Sequence, residues 1–332
     1  MKPNKGINYD TGFEPYGPEH SSRKTFDSIV VGRELQIIAE NLGCTHIRIT
    51  GSEPTRIESA ARLAISTGMD VWFSPFPCNL TTEDLISYLL TCAIRAEKVR
   101  QVSHNTIFVV GCEISLFNSG FLPGNHLLER SQAFAGFGKW KPPMNEKIKQ
   151  FFEKAIPEVR KYFKGKITYA AGEWEEIDWS LFDIVSVDLY RAKHNQSYYE
   201  QQLKTYLTHN KPLAITEFGC CPLRGASELG GNATFTVLSF QENGVVVNEG
   251  WQYSEDEQIN YLKELYSIFI TSGVMFAFWF TFADYEKRYN NDAKQNLDMA
   301  SYGIVQMLYY GGKTFPGMQW EPRKVFWALD QV

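Results

Sequence analysis

Residues 106–115 read TIFVVGCEIS: a β-branched, apolar run ends abruptly in Gly111-Cys112-Glu113. Such a run suits a strand buried on both faces. Its glycine and acidic end place the last residues where the strand leaves the core. Residues 211–221, KPLAITEFGCC, repeat the arrangement, with Glu217 closing the run Leu-Ala-Ile-Thr before a glycine turn. Working outward, the same pattern recurs at 6–9, 46–50, 70–74, 107–110, 167–170, 184–188, 213–216 and 275–279. Between most of these strands lie stretches of helical periodicity: 33–41, 55–66, 83–99, 146–162, 196–208 and 256–270. Pro54 and Pro142 stand near starts, and Gly43 and Gly68 just past ends. The crossover near 176–181 is weak. Eight strands alternating with helices predict an α/β fold, a single (β/α)8 TIM barrel covering residues 1–332, with a doubly wound open sheet as the alternative.

Loop lengths support the barrel. Helix-to-strand connections are short (LGCT, STGMD, FKGK, HNKP, TSGV), whereas those after strands one, four, seven and eight are long: 10–26, 114–145, 218–254 and 280–321. All four would emerge at the C-terminal face, where barrels of this kind build their sites. The chain of 332 residues is 44% hydrophobic and 21% charged, enough apolar material for one large core. A net charge of −5 and the lack of a basic, aromatic-interleaved cluster argue against nucleic acid as a partner. No apolar run reaches membrane-spanning length, and the opening MKPNKGINYD lacks a signal-like apolar segment, so a cytoplasmic protein without a membrane partner is expected. The six cysteines lack CxxC spacing and read as reduced thiols. The six histidines form neither HxH nor HExxH, and GxSxG, GxGxxG and P-loop motifs are missing, so no metal and no cofactor are expected.

Glu113 and Glu217 thus meet at one barrel mouth. A strand-end glutamate is by default the first solvated residue after a buried run, but two on opposite strands form a pair suited to cleaving a glycosidic bond. One carboxylic acid protonates the leaving oxygen while the other attacks the anomeric carbon or activates water. Together with Asn8 and Asp10 on strand one, Arg48 in HIRIT, Tyr190 in VDLY and Trp279 in FAFWF, the layout resembles glycoside hydrolase clan A over nearly the whole chain. The resemblance implies a retaining glycosidase or transglycosidase acting on a small glycoside, an oligosaccharide or a glycosylated metabolite. Glu217 would be the nucleophile, kept ionised by Arg48 and Tyr190, and Glu113 the acid/base. Trp279 would be a platform under a sugar ring.

The clan usually places Asn before its acid/base glutamate, where it binds the sugar 2-hydroxyl; here Cys112 stands in that position. Either a polar group such as Asp188 or Asn8 takes over that contact, or the substrate is unusual at C2, or hydrolysis is compromised. Asp10, Glu173 in AAGEWE and Asp284 in FADYEKR are further candidates for binding sugar hydroxyls. A second resemblance, carried by GINYDTGFEP, RELQIIAENLG and HIRITG, is to bacterial proteins of which some are described as abortive-infection proteins. It implies phage defence and identifies no chemistry; the alternative that Cys112 suggests is a binding protein or defence factor on a barrel that has lost efficient hydrolysis.

Overall fold

In a computed structural model, which describes residues 2–241 and 244–332, the chain forms one closed barrel. Strands β1 (Asn4–Asp10), β2 (His46–Gly51), β3 (Asp70–Pro75), β4 (Ile107–Cys112), β5 (Ile167–Gly172), β6 (Val185–Asp188) and β7 (Leu213–Phe218) come first along the chain. A small antiparallel hairpin, β8 (Leu238–Gln241) and β9 (Gly244–Val247), precedes the last barrel strand, β10 (Phe276–Trp279), and a second pair, β11 (Val305–Met307) and β12 (Trp320–Pro322), follows it. The eight barrel strands are all parallel and close in the order β1-β10-β7-β6-β5-β4-β3-β2. The expected barrel and its eight strands are therefore present, and the open-sheet alternative is excluded.

Helices α1 (Ser28–Asn41), α2 (Pro54–Ser66), α3 (Thr82–Arg100), α4 (Ile114–Phe117), α5 (Leu127–Gln132), α6 (Phe137–Tyr162), α7 (Tyr199–Leu207), α8 (Ala233–Val237), α9 (Glu255–Ser272) and α10 (Lys324–Asp330) complete the chain. The fifth crossover holds only a 3-10 turn, Trp179–Leu181, which accounts for its weak pattern. Three starts differ from expectation by more than one residue, and of these α7 begins at Tyr199 in place of 196. Helix α1 begins at Ser28 because the Asp27 side chain accepts from the backbone N–H groups of Ile29 and Val30. Helix α6 begins at Phe137, so Pro142 and Pro143 lie inside it and do not mark its start. None of the helices among the described residues is long and apolar enough to cross a membrane.

Period-two alternation divides the apolar residues into two cores. Ile47 and Ile49 of β2, Val71 and Phe73 of β3 and their counterparts face the helices. Trp72, Ile107, Val109, Ala170, Ala214 and Phe278, from the opposite faces of five strands, and Ile184 just ahead of β6 form a separate cluster and fill the barrel interior. The space there is tight: a Cβ on Gly6 would meet the Phe278 ring at 2.4 Å. On this apolar floor stand the polar ends of the strands.

The mouth loops are tied down by a buried carboxylate. Glu34 of α1 accepts from Tyr9 Oη at 2.5 Å, Arg23 Nη2 at 3.0 Å, Tyr285 Oη at 2.9 Å and Trp320 Nε1 at 3.1 Å. One buried anion thus joins the loop after β1 to the loop after β10, fixing both relative to the barrel rim.

Candidate active site

Arg48 points inward from the middle of β2 and is fully buried. Its Nη1 lies 2.8 Å from Glu217 Oε1, 3.0 Å from Asn8 Oδ1 and 3.3 Å from the Thr216 carbonyl, while Nε donates to Ser74 Oγ at 3.0 Å. The second Glu217 oxygen, Oε2, accepts from Tyr190 Oη at 2.9 Å. Between Val187 and Asp188 the β6–β7 register shifts, so that Asp188 pairs with Glu217. Each oxygen of Glu217 thus receives a hydrogen bond, one of them charge-assisted, and the carboxylate is fixed in both position and rotation.

Glu113 is placed by a different device. The β4–β5 register shifts between Val109 and Cys112, and Gly111 takes φ +91° with Ile114 Cγ2 only 2.9 Å from where a Cβ would sit. This bulge leaves Cys112 facing the interior and Glu113 turned up in the left-handed region, at φ 41°. Its N–H still donates to Ala170 O at 2.9 Å, which pins the turn to β5. Among the described residues no side chain donates a hydrogen bond to the half-buried Glu113 carboxyl. Burial first, then the nearby acidic groups Asp188, Glu217 and Glu175, push its pKa well above the usual carboxylate range, against the opposing pull of Arg48.

Between the two glutamates sit Cys112 and Asp188, both buried. The Cys112 thiol donates to Asp188 Oδ2 at 3.2 Å and lies 3.8 Å from Glu217 Oε1. Burial, helped by the Glu217 charge, pushes Asp188 up to about 8, although Arg48 stands 3.8 Å away. Burial and Asp188 likewise push the Cys112 thiol up, so it is no thiolate nucleophile. Ligand atoms of Cys112, Asp188 and Glu217 lie within 4.8 Å of one another. The trio nevertheless does not suit a metal ion. The Arg48 guanidinium already supplies the positive charge at Glu217, and Cys112 and Asp188 both favour their protonated forms.

No protein-family model and no curated protein matches the chain. Among solved structures, a GH113 β-1,4-mannanase aligns over 100% of this chain and 99% of its own at a TM-score of 0.59 and 17% identity. The β-glucosidase 1317 aligns over 98% and 96% at 0.56 and 11%. Cel5A of Thermotoga maritima with mannotriose aligns over 90% and 96% at 0.50 and 14%. At 17% identity or less, these likenesses show that the chain shares the (β/α)8 barrel fold of these enzymes.

The other expected site residues of this barrel fall into two groups. Asn8 lies beneath Glu217 and is fully engaged: Nδ2 donates to Thr216 O at 2.8 Å and to Trp279 O at 3.3 Å, and Oδ1 accepts from Arg48. It orients Arg48 and does not present a polar group to the mouth. Trp279 requires a similar correction. Alternation along β10 puts Phe276 and Phe278 inside and Trp279 outside, where it is 0% exposed, packs on Phe218 at 5.4 Å and Tyr261 at 6.4 Å, and donates from Nε1 to Tyr302 O at 3.1 Å. No sugar can reach it. Tyr190 and Phe280 are half-buried aromatics whose rings flank Tyr302 at 5.9 and 5.8 Å.

Three acidic candidates are engaged within the protein. Asp10 accepts from Gly12 N at 2.7 Å and Ser22 Oγ at 2.6 Å, and burial pushes it up to about 6. Glu173 faces His194 at 3.2 Å and Gln202 at 3.3 Å. Asp284 accepts from Tyr302 N at 2.8 Å and pairs with Lys287 at 3.4 Å. Each closes a mouth loop on itself or on its neighbour. All six cysteines are free, including the adjacent Cys220 and Cys221. Ser74, Glu34 and Glu175 contribute to the architecture of the mouth without a sequence signal. Their roles depend on partners far away in the chain or on loop shape.

Proposed function

We propose that the chain is a retaining glycoside hydrolase or transglycosidase, with Glu217 as nucleophile and Glu113 as acid/base. The observation that carries this reading is the opposite treatment of two carboxyls at one barrel mouth. Glu217 is gripped by a guanidinium and a phenol, whereas Glu113 is denied hydrogen-bond donors and surrounded by acids. In the first step the Glu113 carboxylic acid gives its proton to the glycosidic oxygen as the C1–O bond breaks, and a Glu217 oxygen bonds to C1. In the second step Glu113, now a carboxylate, takes a proton from water or a sugar hydroxyl. That oxygen attacks C1 and the ester to Glu217 is released, so the anomeric configuration is retained after two inversions. Arg48 and Tyr190 would then stabilise Glu217 as a leaving carboxylate. The names of the aligned structures, a β-1,4-mannanase and a β-glucosidase, favour a β-linked substrate.

A panel of 4-nitrophenyl β-glycosides provides the test. Glu217→Ala should lose turnover on the order of 10⁴-fold or more, with azide restoring it as the α-glycosyl azide. Glu113→Ala should lose about 10²–10⁴-fold, with azide yielding the β-glycosyl azide. Full activity in either variant overturns the assignment.

A further inference from the structure

Glu175 lies just beyond β5 and is buried. Its Oε1 accepts from Ser115 N at 3.1 Å and Ser115 Oγ at 2.5 Å, and its Oε2 from Tyr169 Oη at 2.7 Å and Gly172 N at 3.0 Å. Tyr169 Oη in turn accepts from Ile114 N at 2.8 Å, and Trp174 Nε1 donates to Ser115 Oγ at 3.1 Å. The two backbone N–H groups that follow Glu113 in the chain, those of Ile114 and Ser115, therefore both end in this network. Every group touching the Glu175 carboxyl is a donor, a set that only the ionised form satisfies fully. Burial raises the Glu175 pKa, and these four donated hydrogen bonds work against that rise. Among the described residues Glu175 has no ion-pair partner, so a buried negative charge stands close to the turn that carries Glu113.

We infer that Glu175 is a positioning residue for Glu113: it anchors the left-handed turn to the end of β5, and its uncompensated charge favours the protonated form of Glu113. The inference rests on the acid/base role proposed for Glu113. The charged or titratable groups facing Glu113 are Asp188 and Cys112 from β6 and β4, Glu217 from β7, Arg48 from β2, and Glu175 from the loop after β5. Asp188 is protonated below about 8 and the Cys112 thiol is neutral, which leaves Glu217, bonded to Arg48, and Glu175, bonded only to neutral donors, as the acids whose charge can act on Glu113. The charge of Glu217 disappears when its ester forms. The charge of Glu175 persists through both chemical steps.

Glu175→Gln, Ser115→Ala and Tyr169→Phe separate charge from anchoring, since only the first removes the charge. In protein labelled with glutamate at the ¹³C side-chain carboxyl, the Glu113 resonance is identified by its loss in Glu113→Gln. Its titration midpoint should lie above the ordinary carboxylate range in the wild type and in Ser115→Ala, and should fall toward that range in Glu175→Gln. An unmoved midpoint in Glu175→Gln overturns the charge role, whether or not the protein hydrolyses any glycoside tried. For anchoring, all three variants should lose more kcat/KM on phenyl than on 2,4-dinitrophenyl β-glycosides, because only the poorer leaving group needs a well-placed acid. Equal losses on both substrates overturn the positioning role. If Glu175→Gln does not fold, Ser115→Ala and Tyr169→Phe still decide it by this ratio. Absence of activity across the whole panel in the wild type would instead count against the proposed function, and the titration would still decide the effect of the charge.

Discussion

The two sides of the barrel mouth treat a carboxylate in opposite ways. On the β7 side, both oxygens of Glu217 receive hydrogen bonds from groups that are themselves held: Arg48 by Asn8, Thr216 and Ser74, and Tyr190 by its place at the end of β6. On the β4 side, Glu113 leaves the sheet through a bulge, adopts a left-handed backbone and meets acids where Glu217 meets a guanidinium. Two side chains of identical chemistry stand in opposite surroundings, one bonded through both oxygens and one without a side-chain donor, and the proposed double displacement would draw on that contrast. The difference also shows how a single cation organises the mouth. Arg48 serves Glu217 directly but only partly offsets the acids near Glu113 and Asp188.

Arg48→Met should break this contrast most severely. It leaves Asn8 Oδ1 and Glu217 without their buried donor, so the folded state should lose about 3–5 kcal/mol in denaturant titration, the cost of stranding one partner of a buried pair. Turnover on the aryl glycosides should fall about 10²–10³-fold. Retained activity would mean that the guanidinium does not set the state of Glu217. Tyr190→Phe sharpens the same comparison more gently. It removes one hydrogen bond to a charged group, worth about 1.5–3 kcal/mol, and kcat should drop roughly 10- to 100-fold with little change in melting temperature. A loss confined to KM would place Tyr190 in substrate binding instead.

Asp188 gives the cleanest sign. Its folded pKa of about 8 lies above its ordinary value of 3.8, so the folded state holds a proton that the unfolded chain has already released between those limits. Stability attributable to this group is present in full below about 4 and is lost progressively as pH rises toward about 8. Asp188→Asn mimics the protonated side chain and does not titrate. Its melting temperature relative to the wild type should therefore climb with pH across that window and level off above it. A difference independent of pH would show that Asp188 is ionised in the folded protein.

Much of this architecture is legible in the sequence because barrel strands are local objects. Runs such as TIFVVGC and LAIT announce themselves by composition, and each strand's end follows from where the apolar run stops. Glu113 and Glu217 could be nominated as neighbours for that reason, since in a closed parallel sheet strand ends converge, while Arg48 and Tyr190 are implied beside Glu217 only by the family resemblance. The phase of a side chain is harder to read. Phe276, Phe278 and Trp279 are all large and apolar, and only strict alternation from Phe278 shows that Trp279 faces the helices. Asn8 stands on β1 beside Arg48, and its hydrogen bonds run to Arg48 and to two backbone carbonyls, a choice set by tertiary contacts. Glu173, Glu175 and Glu176 look alike in AGEWEE, yet one pairs with His194, one is buried under Ser115 and one is exposed. Loop shape distinguishes them, and no periodicity encodes it.

The division between the two glutamates is tested most directly by trapping the covalent intermediate. The protein would be incubated with activated 2-deoxy-2-fluoro β-glycosides of the sugar that the aryl panel identifies, then digested and mapped by peptide mass. The account predicts one added fluorosugar, on the peptide containing Glu217, accompanied by loss of activity that recovers slowly as the ester turns over. A label on Glu113, or complete turnover of the reagent without any adduct and with inverted product, would contradict it.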